Sequence, residues 1–273
     1  MESNSHSMFQ DQEQERVGIT VLGSGSNGNA IVLHRQGEAI LVDAGFSARE
    51  LRRRLREAGI DETALRAVIV SHEHIDHIKG LRVCARQLGL PIYSNRGTAA
   101  AVRDREKDIG RLNIFTAGTP FDIGGFSVEP FSIPHDASDP MGFVIRVDGA
   151  KVGLATDLGH VSHLVSYQLR ECDALIVESN HDMGMLQHSR RPWSLKQRIM
   201  GRHGHLSNRK SMELVRDVLH ERTRHLILAH ASRECNRYEL VEQSARQCLM
   251  DLGRPDIVPL VARQDQSLPT VWL

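Results

Sequence analysis

Short apolar runs recur along the chain, closed by Gly, Pro, Asn or Asp turns, and amphipathic stretches lie between many of them. "VGITVLGS" (17–24) and "EAILVDAG" (38–45) read as strands, "SARELRRRLREAG" as a helix ending at Gly59, and "LRAVIVS" (65–71) as another strand. "IKGLRVCARQLG" (78–89) predicts a helix, "PIYS" a strand and "GTAAAVRDREKD" (97–108) a helix. From 112 to 158 the pattern is mostly extended, through "LNIFTAG", "FSVEPFSI", "GFVIRVDG" and "KVGLATDLG". A helix (162–171), the strand "ALIVES", a long polar insertion, a helix (207–221) and the strand "HLILAHA" follow. A last helix near 238–252 and "IVPLVA" come after them. No repeat or low-complexity linker interrupts the pattern, which predicts one domain over 17–273 behind a disordered or appended polar tail, 1–16. Strands flanked by helices in both halves predict an α/β chain of two facing sheets with helices outside, a four-layer αββα sandwich.

Composition excludes more than it identifies. The 273 residues hold 40% hydrophobic positions and equal Lys+Arg and Asp+Glu counts of 34, so any preference for an anion has to come from a local patch. Cys84, Cys172, Cys235 and Cys248 are widely spaced without a CxxC pair, which argues against a disulfide framework and for the reducing cytoplasm. The N-terminal stretch lacks the apolar core of a signal peptide, and no run is long enough to suggest a membrane span.

The chemistry is concentrated in "SHEHIDHIKG", 71–80, which follows the apolar "AVIV". His72, His74, Asp76 and His77 cannot all be placed in a core, because burying that many ionisable groups without partners costs several kcal/mol each, roughly. Imidazole and carboxylate suit zinc, manganese or iron. Alternate residues of an extended segment point the same way, so His72 and His74 can grip one ion while Asp76 and His77 turn toward a second.

HxHxDH resembles the signature of the metallo-β-lactamase fold superfamily, whose layout is the αββα sandwich. The resemblance extends residue by residue: Asp43 in "LVDAG" matches an aspartate that supports the metal cluster from behind, and His135 in "IPHDA" the third histidine on the first metal. Asp157 in "ATDLG" matches the carboxylate that bridges both metals, and His230 in "LILAHAS" the last histidine, on the second. Taken singly, each would read as a turn residue or a structural histidine; the matching order carries them. The resemblance implies a dinuclear hydrolase using two divalent ions (Zn or Mn, with Fe possible): His72, His74 and His135 on one, Asp76, His77 and His230 on the other, with a bridging hydroxide as nucleophile and Asp76 counted among the catalytic groups. Asp at 157, where zinc β-lactamases place a cysteine, disfavours antibiotic breakdown, and His74 in place of glutamate disfavours the oxygen-reducing di-iron branch.

The substrate signal is elsewhere. Between Gly184 and Met212 there is no acidic residue, but there are Arg190, Arg191, Lys196, Arg198, Arg202, Arg209 and Lys210, a one-sign stretch that suits a phosphate backbone. Its plainer reading is a solvated basic helix face. "GHLSN" (204–208) places His205 before a serine N-cap, and resembles the His-Ser/Thr motif of the nuclease branches, tRNase Z included, in which the histidine protonates the leaving oxygen; Glu178 in "VESNHD" matches the carboxylate that orients it. "PHDASDPMGF", "TDLGH", "ESNHD", "LKQRIMGRHGHLSN" and "LAHASRECN" together resemble the YycJ/WalJ group of bacterial exonucleases. That resemblance implies 5′-to-3′ degradation of DNA, single strands preferred, in repair. Expected substrate contacts are Ser24, Ser26 and Asn27 of "GSGSNGN", with Ser207, Asn208, Arg198 and Arg202. A glyoxalase II-like thioesterase or lactonase, and an RNA-processing nuclease resembling tRNase Z, are the alternatives.

Overall fold

Most strands are apolar at successive positions because both faces of each sheet are covered. In β11 (Ala174–Glu178), Ala174 and Ile176 join one apolar cluster and Leu175 and Val177 another; in β3 (Glu38–Val42), Ile40 and Val42 part from Ala39 and Leu41 in the same way. A fully buried Val, Leu, Ile or Phe stabilises by about 1.5–3 kcal/mol wherever it is buried, so the outer face of a strand matters as much as the inner one.

The computed structural model describes residues 16–106 and 109–273. The expected tail therefore lies outside the described residues except for Arg16. One sheet runs in the order β14-β1-β2-β3-β4-β5-β6, from β1 (Gly18–Gly23), β2 (Ala30–Arg35), β3, β4 (Leu65–Ile69), β5 (Ile92–Ser94), β6 (Leu112–Ile114) and the late β14 (Val271–Trp272). The other runs β13-β12-β11-β10-β9-β8-β7, from β7 (Phe121–Ile123), β8 (Phe126–Ser132), β9 (Met141–Val147), β10 (Ala150–Ala155), β11, β12 (His225–Ala229) and β13 (Leu260–Val261). Ile19, Leu33 and Ile40 meet Phe126, Phe143 and Ile176 between the sheets. Helices Ala48–Glu57, Leu81–Gln87 and Arg96–Arg105 cover the first sheet through Leu51, Leu81 and Val102. Helices His163–Leu169, Asn208–Val218 and Tyr238–Asp251 cover the second through Val165, Val215 and Leu249. The layers are αββα, as the pattern predicts.

Several elements differ from the sequence reading. The run after "GSGSNGN" is β2, a hairpin partner of both β1 and β3. Its turn to β3 is Gln36-Gly37, both with positive φ (43° and 75°), the two-residue geometry that matches strand twist. The helix predicted over 78–89 begins only at Leu81, after a separate turn at Ile75–Ile78. The polar insertion contains two short helices, Met183–His188 and Trp193–Met200, the first N-capped by the Asp182 carboxylate. "IVPLVA" shrinks to the two residues of β13, since Pro259 has no N–H to give a ladder. All four cysteines are buried and free. No helix among the described residues is long and apolar enough to cross a membrane.

Candidate active site

β3 and β4 pair in parallel, as do β10, β11 and β12, and the chemically equipped residues stand at the carboxyl ends of these strands, where open α/β sheets bind ligands. Asp43 follows β3, His72 and His74 lie just beyond β4, Asp157 follows β10, Glu178 ends β11 and His230 follows β12. Asp43, Asp157 and His230 have left-handed backbones, with φ of 61°, 60° and 56°. Such strain costs on the order of 1–3 kcal/mol per residue and persists only where surrounding contacts enforce it. At Asp43 the contacts are visible: its carboxylate accepts from Ser71 N–H and Oγ–H, both at 2.8 Å, and lies 2.7 Å from His77 Nδ1. Gly45 lets this loop press on the histidine turn, because a Cβ there would collide with the Asp76 carbonyl oxygen.

Four imidazoles are anchored through Nδ1. His77 is held by Asp43, His230 by Glu178 at 2.9 Å, His135 by the Gly204 carbonyl at 3.1 Å and His72 by Ser71 Oγ at 3.0 Å. A ring nitrogen fixed by an acceptor carries the proton and leaves the other as a free lone pair, the arrangement found behind metal-binding histidines. The Nε2 atoms converge. His77 Nε2 is 3.3 Å from Asp157 Oδ2, His230 Nε2 3.5 Å from Asp76 Oδ2, and His135 Nε2 3.3 Å from His74 Nδ1.

These donors fit divalent cations. His72, His74 and His135 form one group whose ligand atoms lie within 4.8 Å of one another, and Asp76, His77 and His230 form another; Asp157 belongs to groups that draw on both neighbourhoods. Two nitrogens each about 2.1 Å from a tetrahedral ion stand about 3.4 Å apart, close to the His74–His135 separation of 3.3 Å. His72 Nε2 is buried without any hydrogen-bond partner, an orphan that costs about 1–3 kcal/mol unless something coordinates it.

Glu178 joins this cluster to His205. It is fully buried; Oε1 takes His205 Nδ1 at 2.8 Å and His230 Nδ1 at 2.9 Å, while Oε2 accepts the backbone N–H of Leu158 and Leu206 at 3.0 and 2.8 Å. Burial alone would raise its pKa, but His205 and His230 and their hydrogen bonds pull it down to about 2. Burial likewise works to lower His205, and the Glu178 carboxylate outweighs it and raises the imidazole. A carboxylate that favours the protonated ring makes His205 a proton donor. Its loop is locked by Gly204, where a Cβ would strike the Ile199 carbonyl.

Ser26, His74, Asp76, His135, Asp157, Arg198, His205 and His230 line one cleft of about 340 Å³. Other expected substrate contacts are placed differently. Ser24 is buried, its hydroxyl spent between Asn29 Oδ1 and His230 N–H. Asn27 is exposed, its backbone N–H on Gln264 Oε1 at 2.8 Å. Ser207 Oγ caps the helix at Lys210 N–H, and Asn208 pairs amide to amide with Asn236. Arg202 faces a different groove. Lys196 is also diverted from the basic stretch, its ammonium donating to the carbonyls of Gln187 and Ser189. The sequence reading passed over Asn29, whose Nδ2 reaches His77 Nε2 at 3.1 Å and Asp76 Oδ2 at 3.3 Å, and Asp136, which ion-pairs Arg198 beside His135. Asn29 stands inside "GSGSNGN", but a turn-like composition gives no sign that one of its side chains points inward.

Residues 38–231 match the family described as the beta-lactamase superfamily domain. The chain belongs to the metallo-β-lactamase superfamily. Within it, the chain is 37% identical over 240 residues to exodeoxyribonuclease YycJ of Bacillus anthracis, covering 86% of this chain and 90% of that protein. It is 34% identical over 230 residues to exodeoxyribonuclease WalJ of Streptococcus pneumoniae serotype 2, covering 82% and 85%. Among solved structures it resembles the metallo-β-lactamase fold protein YhfI of Bacillus subtilis, with a TM-score of 0.70 at 17% identity over 93% of this chain and 99% of that one. This superfamily member is a metal-dependent hydrolase that uses divalent cations.

Proposed function

We propose that the protein is a 5′-to-3′ exonuclease that removes nucleotides from single-stranded DNA in the cytoplasm, with DNA repair as the process it serves. One observation carries the reading: His205, clamped by buried Glu178 2.8 Å away, reaches into the same cleft as both donor groups. A thioester hydrolase has little need of a dedicated proton donor there, because a thiolate leaves readily, whereas a departing sugar alkoxide does need one. The relatives named as exodeoxyribonucleases support DNA as the substrate.

His72, His74 and His135 would hold one ion, Asp76, His77 and His230 the second, with Asp157 shared between them. When bound, two such ions supply Lewis acidity, an activated water and neutralisation of charge on the phosphoryl oxygens. Asp43 keeps the His77 ring and Ser71 in register with the donors. Glu178 holds the His205 Nδ1 proton, so that Nε2 presents its own proton to the departing sugar oxygen, and Arg198 and Ser26 stand at the cleft wall for the strand. A positioned acid of this kind is worth about 10²–10⁴ in rate. The test is product analysis on 5′-labelled single-stranded DNA and RNA with Mn or Zn added. Mononucleotides released from the 5′ end of DNA are expected; cleavage of neither polymer, with hydrolysis of a glutathione thioester, would overturn the reading.

A further inference from the structure

The loop 201–207 has two faces. Gly204 and His205 line the cleft, while Arg202 and Leu206 line a separate groove of about 1040 Å³ between the helices His163–Leu169 and Asn208–Val218. The two spaces share a wall: His160 Nδ1 binds the Arg202 carbonyl at 2.9 Å, and Leu206 N–H binds the same Glu178 carboxylate that holds His205.

The charges in this groove are unevenly committed. Glu213 is taken by Arg209 at 2.7 Å, and Asp217 stands 3.5 Å from Arg170 at the end remote from the loop. Arg202 and Lys210, next to the loop, form no ion pair among the described residues. Between them and the remote end lies Tyr167, which is 71% exposed. An aromatic ring that large, left bare on a helix, forgoes the burial that ordinarily keeps it in a core. Grooves that hold single strands combine free cations along the backbone path with aromatic faces on which bases stack.

We propose that this groove is a second binding site for single-stranded DNA, holding the strand beyond the scissile nucleotide with phosphates on Arg202 and Lys210 and a base against Tyr167. This rests on the nuclease reading and extends it: the cleft cuts, and the groove makes long strands better substrates than short ones. A groove built for a protein partner would show no such length dependence.

The experiment compares the metal-loaded enzyme on an oligodeoxynucleotide of about 20 nucleotides and on a trinucleotide. Tyr167→Ala is expected to lower the ratio of kcat/KM (long over short) about tenfold, within the range of one lost base stack, through KM, with Tyr167→Phe restoring it. Lys210→Gln is expected to reduce the slope of log affinity against log salt by about 0.7, one phosphate contact on a single strand. An unchanged ratio and slope, or equal losses on both lengths, overturns the groove while leaving the nuclease intact. A wild-type enzyme that cuts neither oligonucleotide overturns the nuclease reading and the groove with it.

Discussion

Asp43 and Glu178 are both buried carboxylates at strand ends that hold a histidine by Nδ1, yet their surroundings divide the active site into two regions. Asp43 serves Ser71 and His77, both within the contiguous segment that carries the histidine run. Glu178 binds four groups from three separate segments, at Leu158, at His205 with Leu206, and at His230. The first region is a local cradle for one donor group. The second ties the donor cluster to the proton donor, so damage there spreads to two functions.

That contrast can be broken by substitution. His74→Ala removes a donor facing His135 and is expected to reduce turnover to background, with at least one metal equivalent lost on elemental analysis. Glu178→Gln keeps the shape and removes the charge. It is expected to cut kcat by about 10²–10⁴, the scale of a general acid, and to weaken metal affinity by about 10–100-fold, the scale of a lost histidine partner. His205→Ala separates the two: the same loss in kcat, with metal content equal to wild type. If His205→Ala strips a metal and leaves the residual loaded enzyme at full rate, its assignment as proton donor is wrong. Asp43→Asn completes the set, with about 10–100-fold weaker metal binding and a kcat that recovers once metal is saturating.

The two regions were also unequally legible in the sequence. His72, His74, Asp76 and His77 are consecutive enough that their shared purpose shows from spacing alone, and the strand ends at 43, 157 and 230 follow from apolar runs that stop at Asp or His. The layers were legible too, because strands covered on both faces read as unbroken hydrophobic runs. Within 178–210 the resemblance pointed to Glu178 and His205, which lie 2.8 Å apart, but the basic stretch around them was not legible, since a run of cations says nothing of which ones face outward. Lys196 turns inward to two carbonyls, while Arg198 stays exposed beside Asp136, Arg191 pairs with Glu234, and Arg202 and Lys210 face a groove that no pattern in the chain announces. The same limit applies to β14, whose pairing with β1 joins positions at opposite ends of the described chain.

Asn208 offers the mildest way to sharpen the comparison, since its place after His205 suggests substrate contact and its environment indicates architecture. It exchanges two amide hydrogen bonds with Asn236, at 3.0 and 2.8 Å, and its Oδ1 also accepts from Ser179 Oγ at 2.8 Å. Asn236 in turn donates to the Ser179 carbonyl at 3.1 Å, next to Glu178. Removing one member of a buried polar set leaves the others unsatisfied, at about 1–3 kcal/mol. Asn208→Ala is therefore expected to lower the melting temperature by several degrees, at about 2–4 °C per kcal/mol for a chain of this size class. Because the network stands behind β11 rather than in the cleft, KM for single-stranded DNA is expected to stay within about twofold of wild type. A variant with wild-type melting and a KM raised tenfold or more would return Asn208 to the substrate and give the region around Glu178 a third role.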